Sequence, residues 1–86
     1  MDKIANYTTT DLYLAATLRA LSLSEPSNVG FIGIFGSHAR KEFNFYIDVM
    51  VLDDLINSYY SRNLHLDAKT LVESIKELKE RVSGSR

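Results

Sequence analysis

The chain has 86 residues, of which 45% are hydrophobic and 24% are charged, and its formal net charge is −1. A chain of this length supports one hydrophobic core, so we expect a single domain. It contains no cysteine, which excludes disulfides, thiolate-bound zinc and cysteine catalysis. The near-neutral charge provides no general attraction to nucleic acid, and such binding would need a local basic patch.

The N-terminal residues have no long apolar stretch after their charges, so we do not expect a signal peptide. No apolar run approaches the roughly 20 residues that a membrane-spanning helix requires. Together with the absence of cysteine, these features predict a cytoplasmic protein. We expect one domain over residues 1–86, with flexible ends at residues 1–8 and 83–86.

A first helix is predicted after the threonine run Thr8-Thr9-Thr10. A threonine hydroxyl can cap a free backbone N–H, and Asp11 complements the positive end of the helix dipole. One stripe of leucines has the spacing of a buried face, and further apolar residues lie on or near the far side: Leu12, Tyr13, Ala16 and Ala20. Such a helix needs cover on more than one side, either from a second copy of the chain or from its own tail and loops.

Two apolar runs separated by a short polar segment predict an antiparallel hairpin, with strands at about 29–36 and 43–51. Alternation gives the first strand two apolar faces: Val29, Phe31, Gly33 and Phe35 on one, Ile32 and Ile34 on the other. In the second strand, the odd-numbered residues from Phe43 to Val51 share an apolar face. The glycines in the first strand mark bulges or places where another group comes close.

A second helix is expected to begin at Asp53, which can cap it, and to end near Arg62. Leu64-His65-Leu66 is a short alternating segment that could form a third strand. Asp67 can cap a last helix, which Gly84 ends. The predicted fold is therefore α+β: an antiparallel hairpin, with or without the short third strand, covered by three helices in the order α-β-β-α-(β)-α.

The segment Gly36-Ser37-His38-Ala39-Arg40, followed by Asp48, resembles the active-site motif of the minimal nucleotidyltransferases. In that family Gly-Ser after a strand positions the nucleotide phosphates, and two aspartates one residue apart hold Mg²⁺. Here Met50 stands where the second aspartate belongs, and in a shifted register Tyr46 takes the place of the first. The resemblance implies a degenerate relative of that fold, and we predict no catalytic residue, metal or cofactor.

A second resemblance covers more of the chain. The opening Thr9-Thr10-Asp11-Leu12-Tyr13-Leu14-Ala15-Ala16 is similar to that of a small uncharacterised prokaryotic and phage domain family. The likeness resumes at Phe43-Asn44-Phe45, Leu52-Asp53-Asp54-Leu55, Tyr59-Tyr60, Leu64-His65-Leu66-Asp67-Ala68 and Leu78-Lys79. This resemblance implies a domain of about the whole length with the element order given above. It implies no activity.

Three hypotheses for function follow from these features, of which the last is the degenerate nucleotidyltransferase-like domain described above. The leading one is a small non-enzymatic interaction module that forms a homodimer, either through an open strand edge or through the first helix, at Leu12, Tyr13, Ala16 and Ala20. The alternative is a nucleic-acid-binding accessory or phage regulatory protein that uses the hairpin tip. Its candidate contacts, for nucleic acid or another ligand, are Ser37, His38, Arg40, Lys41 and Tyr46.

Overall fold

The computed structural model describes residues 3–37 and 39–84. Their elements follow the order β1 (Ile4–Thr9), α1 (Leu12–Ser24), β2 (Val29–Gly36), β3 (Lys41–Asp48), α2 (Val49–Tyr60) and α3 (Ala68–Gly84). The three strands of this part of the chain form one antiparallel sheet in the order β1-β3-β2, so the predicted α+β class is confirmed. None of the described helices is long and apolar enough to cross a membrane.

The central strand β3 pairs with both of the others. Its partners run from Ile4↔Asp48 to Thr9↔Phe43 on the β1 side, and from Val29↔Ile47 to Gly36↔Lys41 on the β2 side. Since β1 and β2 are both antiparallel to β3, they are parallel to each other, and α1 connects them across the sheet. This is a split β-α-β arrangement, in which a third strand lies between the two parallel ones.

The strand β1 was missed in the sequence, because its threonines were interpreted only as a helix cap and residues 1–8 were expected to be flexible. In the structure, Ala5, Tyr7 and Thr9 turn toward the helices and are half-buried, while the residues between them are exposed. Leu64–Leu66, which could have formed a short third strand, does not form one. Leu64 and Leu66 instead pack against the core from an irregular segment.

A β-bulge in β2 corrects the predicted alternation of that strand. Phe31 pairs with Phe45, but the next pair is Gly33↔Asn44, so Ile32 is an extra residue. The bulge reverses the inward and outward positions after it. Ile34 therefore joins Val29 and Phe31 on the face toward the helices, and Phe35 lies on the opposite face with 54% of its surface exposed.

Strand β3 ends three residues earlier than predicted, because Asp48 starts a helix. Its carboxylate accepts a hydrogen bond from the Met50 backbone N–H at 2.8 Å, which caps α2. The helix was expected to begin at Asp53. The cap of α3 is as predicted, since the Asp67 carboxylate accepts from the Thr70 N–H at 2.9 Å, and α3 continues through Ser83 to Gly84.

Helix α1 lies at the centre of the molecule, between the sheet and α3. Leu14, Leu18 and Leu21 are buried with the inward side chains of β3 and with Leu78 of α3. The chain itself therefore covers both sides of α1. This corrects the expectation that a second subunit could contact Ala16 and Ala20, because both are fully buried inside one chain, at 0% and 1% exposure.

Candidate functional site

The helix residues predicted for self-association do not form one surface. Ala16 and Ala20 are buried, Leu12 is half-buried, and Tyr13 is 55% exposed. The Tyr13 ring lies beside the Lys79 ammonium of α3, with 6.0 Å between the nitrogen and the ring centroid. Of the four residues, only Tyr13 offers a large accessible side chain.

The predicted contacts at the hairpin tip are also divided. Ser37 and Arg40 are exposed, and the Arg40 N–H donates to the Ser37 carbonyl at 3.2 Å across the turn. Lys41 shares the inward face of β3 with Phe43 and is half-buried. Tyr46 lies on the opposite face, five residues and about 17 Å further along the strand. His38 lies outside the described residues.

The residues of the nucleotidyltransferase-like motif are far apart. Gly36 and Ser37 lie at the tip, whereas Asp48 is at the other end of β3, about 23 Å away along the strand. The Asp48 carboxylate is engaged in capping α2. Gly36-Ser37 and Asp48 therefore cannot line one nucleotide pocket. Within residues 3–37 and 39–84, no three acidic or histidine side chains are grouped as metal ligands.

The face of the sheet opposite the helices, called the outer face below, carries accessible apolar side chains. The most exposed of them are Ile4 at 64%, Phe35 at 54% and Tyr46 at 47%. The Tyr46 ring lies directly over Gly30 of the neighbouring strand, where a Cβ atom would overlap the ring. The Thr8 hydroxyl donates to the Asn44 side-chain oxygen at 2.7 Å and joins β1 to β3 on this face.

The outer edge of β2, called the β2 edge below, is the longer of the two edges of the described sheet. In the described part of the chain β2 pairs with β3 alone, so the backbone groups on its other side have no strand partner. The strand, VGFIGIFG, contains neither a charge nor a proline. Natural edge strands commonly use such residues to prevent pairing with other chains. Here Ile32 at the bulge and Phe35 are exposed instead, Ile32 at 42%.

On the face toward the helices, charged residues pack against Phe31 of β2. The guanidinium groups of Arg19 and Arg81 lie 5.3 and 5.5 Å from the centroid of the Phe31 ring. Both arginines form ion pairs with Glu77 at 3.0 Å. The hydrogen bond from Arg19, with the charges of both arginines, lowers the pKa of Glu77 although partial burial opposes that shift.

Phe31 is thus held between this charged group and Phe45, whose ring centroid is 5.1 Å away. The packing fixes the inward side of β2 and leaves its edge apolar. The one sequence signal for the bulge was Gly33, because a glycine inside a strand marks an irregularity. Nothing in the spacing of β1 marked it as the other edge.

No family model, curated protein or solved structure matches the chain. Both resemblances found in the sequence therefore stay predictions.

Proposed function

We propose that this protein is a cytoplasmic, non-enzymatic interaction module that self-associates by pairing its β2 edge with the β2 edge of a second copy. The observation that carries the proposal is an uncharged edge strand of eight residues with Ile32 and Phe35 exposed along it. Pairing would satisfy the open backbone groups of both strands and shield these side chains.

A two-fold axis fits this edge. Two antiparallel β2 strands present the same surface to each other, as in isologous dimers, and pairing joins the two sheets into one. The polar β1 strands would then form both ends of the combined sheet. Each Ile32 or Phe35 that becomes buried would contribute about 1 kcal/mol, since roughly half of its surface is already covered in one subunit.

Sedimentation equilibrium in the micromolar range tests the proposal. The wild type is expected to dimerise, and Ile32→Lys is expected to be monomeric because it places a charge on the β2 edge. Asn6→Lys is the matched control, since Asn6 is exposed on the other edge strand, β1. Circular dichroism checks that both variants are folded. A monomeric wild type, or equal loss of dimer in both variants, would contradict the proposal.

The second candidate is a nucleic-acid-binding accessory or regulatory role for the outer face and hairpin tip. Its support is the exposure of the Tyr46 and Phe35 rings on a sheet face, where aromatic side chains can stack on bases, together with exposed Arg40 at the tip. Glu42 and Asp48 lie on the same strand face as Tyr46 and oppose phosphate binding.

Fluorescence anisotropy with a single-stranded oligonucleotide tests this second candidate. Binding should weaken with salt, and also in Tyr46→Ala and in the double variant Arg40→Ala, Lys41→Ala. Lys69→Ala, on the exposed first turn of α3, is the control for a general loss of positive charge. If wild-type binding is absent at low salt, this role should be abandoned, whereas the dimer proposal is unaffected.

A further inference from the structure

A cleft of about 400 Å³ opens where the start of α1, the start of β3 and the end of α3 meet. This volume is in the range of small-molecule sites. The apolar part of its lining comes from Leu12, Phe43 and Val82, one residue from each element. All three also pack in or against the hydrophobic core, so the apolar surface of the cleft is continuous with that core.

The polar part of the lining is basic. Lys41 and Lys79 reach the cleft from β3 and α3, and Thr10 and Ser83 add hydroxyls, whereas no acidic residue among residues 3–37 and 39–84 lines it. Lys41 is on the inward face of β3, two residues from Phe43, which places its side chain on the cleft side of the sheet. The ion pairs found in the described residues join Arg19 and Arg81 to Glu77, and neither cleft lysine takes part in them. The Lys79 ammonium lies 6.0 Å from the centroid of the exposed Tyr13 ring, a contact that a carboxylate would have to accept or replace.

We propose that this cleft binds a small aliphatic carboxylate. The carboxylate would lie between the ammonium groups of Lys41 and Lys79, and the hydrocarbon chain would contact Leu12, Phe43 and Val82. Two cations from separate elements beside an apolar surface match a ligand with one anionic end and one apolar end. The site uses no residue of the β2 edge, so it does not depend on the proposed dimer.

Isothermal titration calorimetry of the full chain with octanoate tests the site, with octanamide as the uncharged analogue. Octanoate should bind, and octanamide should bind at least about tenfold more weakly, because it cannot form the charge-assisted contacts. Lys41→Gln and Lys79→Gln should each weaken octanoate binding by about threefold or more. Lys69→Gln, on the same helix as Lys79 but about 15 Å away, should leave the affinity unchanged.

A variant that blocks the apolar part completes the test. Val82→Asp introduces a negative charge into the cleft at a half-buried position and should abolish octanoate binding. Its circular dichroism spectrum must match that of the wild type for the result to count, and Lys41→Gln with Lys79→Gln provides the same test without changing the apolar surface. Equal affinity for octanoate and octanamide, unchanged affinity in both glutamine variants, or no detectable binding would overturn the proposal.

Discussion

The two edge strands pair with the same central strand but present different surfaces to a second molecule. β1 has six residues, also without a charge and with Ile4 exposed at its start, but Asn6, Thr8 and Thr9 are polar, and a side-chain hydrogen bond from Thr8 ties it to β3. β2 has eight residues without a charge and exposes Ile32 and Phe35. The difference teaches that backbone pairing alone does not make an edge available, because the side chains beside it decide whether another strand can approach.

The largest expected loss of stability comes from substituting Phe45, the residue of β3 that pairs with both edge strands. Phe45 is 0% exposed and lies opposite Tyr7 of β1 and Phe31 of β2. Phe45→Ala should lower the free energy of unfolding by about 3–5 kcal/mol, measured by urea denaturation. Tyr46→Ala, on the exposed face of the same strand, should cost less than about 1 kcal/mol. Similar losses in both variants would show that β3 does not hold the two edges through its inward side.

The next effect distinguishes positions within β2. Gly36 has φ of 106°, and a Cβ atom there would overlap the Arg40 carbonyl oxygen. Gly36→Ala should therefore destabilise the protein by about 1–3 kcal/mol in thermal unfolding. Gly33→Ala is the comparison, because its Cβ would meet only the movable Phe35 ring, at 3.4 Å. If Gly33→Ala proved the more harmful variant, the bulge rather than the tip would control the geometry of the β2 edge.

The next effect is a gain in stability from a change in α3, which alters neither edge strand. Ser74 of α3 is 2% exposed, and its hydroxyl has no hydrogen-bond partner among the described residues. Ser74→Ala should raise the free energy of unfolding by about 1 kcal/mol, because it removes a buried, unsatisfied polar group. Differential scanning calorimetry would detect the increase. Thr17→Ala is the opposite control, since the Thr17 hydroxyl donates to the Tyr13 carbonyl at 2.9 Å. A loss of stability in Ser74→Ala would contradict the assignment.

The smallest expected effects are losses of stability at the two ends of the pH range, which come from groups next to different edge strands. Glu77, beneath β2, has a pKa lowered by the hydrogen bond from Arg19, so its stabilisation is complete above its ordinary value of 4.5 and is lost as the pH falls further. Tyr7 of β1 and Tyr59 of α2 have pKa values raised above 10.0, mainly by burial. Their stabilisation is present below that pH and is lost as the pH rises through the folded-state values.

Unfolding free energies measured across the pH range would test this separation. Glu77→Gln should remove the loss of unfolding free energy at acid pH that comes from the Glu77 ion pair next to β2. This contribution is less than about 1 kcal/mol for so accessible an ion pair, and the alkaline loss should be unchanged. Asp67 also has a pKa lowered by hydrogen bonds from Thr70, so some acid sensitivity should persist in the variant. If the alkaline loss of stability disappeared in Glu77→Gln, its assignment to Tyr7 and Tyr59 would be wrong.

Most of the fold followed from local patterns in the sequence, and the errors arose where distant segments meet. The leucine spacing of α1 and the two apolar runs of the hairpin predicted their elements, because each pattern reports on one element alone. Strand β1 and the early end of β3 depend on each other, since Ile4 pairs with Asp48, where α2 begins. Neither local pattern contains that information.

The candidate site, an open strand edge, was predicted only as one of two possible interfaces for self-association. The other predicted interface was the first helix. Periodicity shows that α1 is apolar on several sides, but it does not show what covers them. The bulge at Ile32 turns Phe35 to the outer face, and that reversal depends on the register with β3. Interfaces decided by one inserted residue therefore require the pairing of the strands as well as their sequence.

The direct passage from β3 into α2 has a consequence for engineering the chain. Asp48 ends the strand and caps the helix, so no flexible residue separates the two. An insertion at this joint would rotate α2 away from its packing, whereas Ala39 at the hairpin tip is exposed. A reporter peptide or a spectroscopic label is therefore better introduced beside Ala39 than at the joint between β3 and α2.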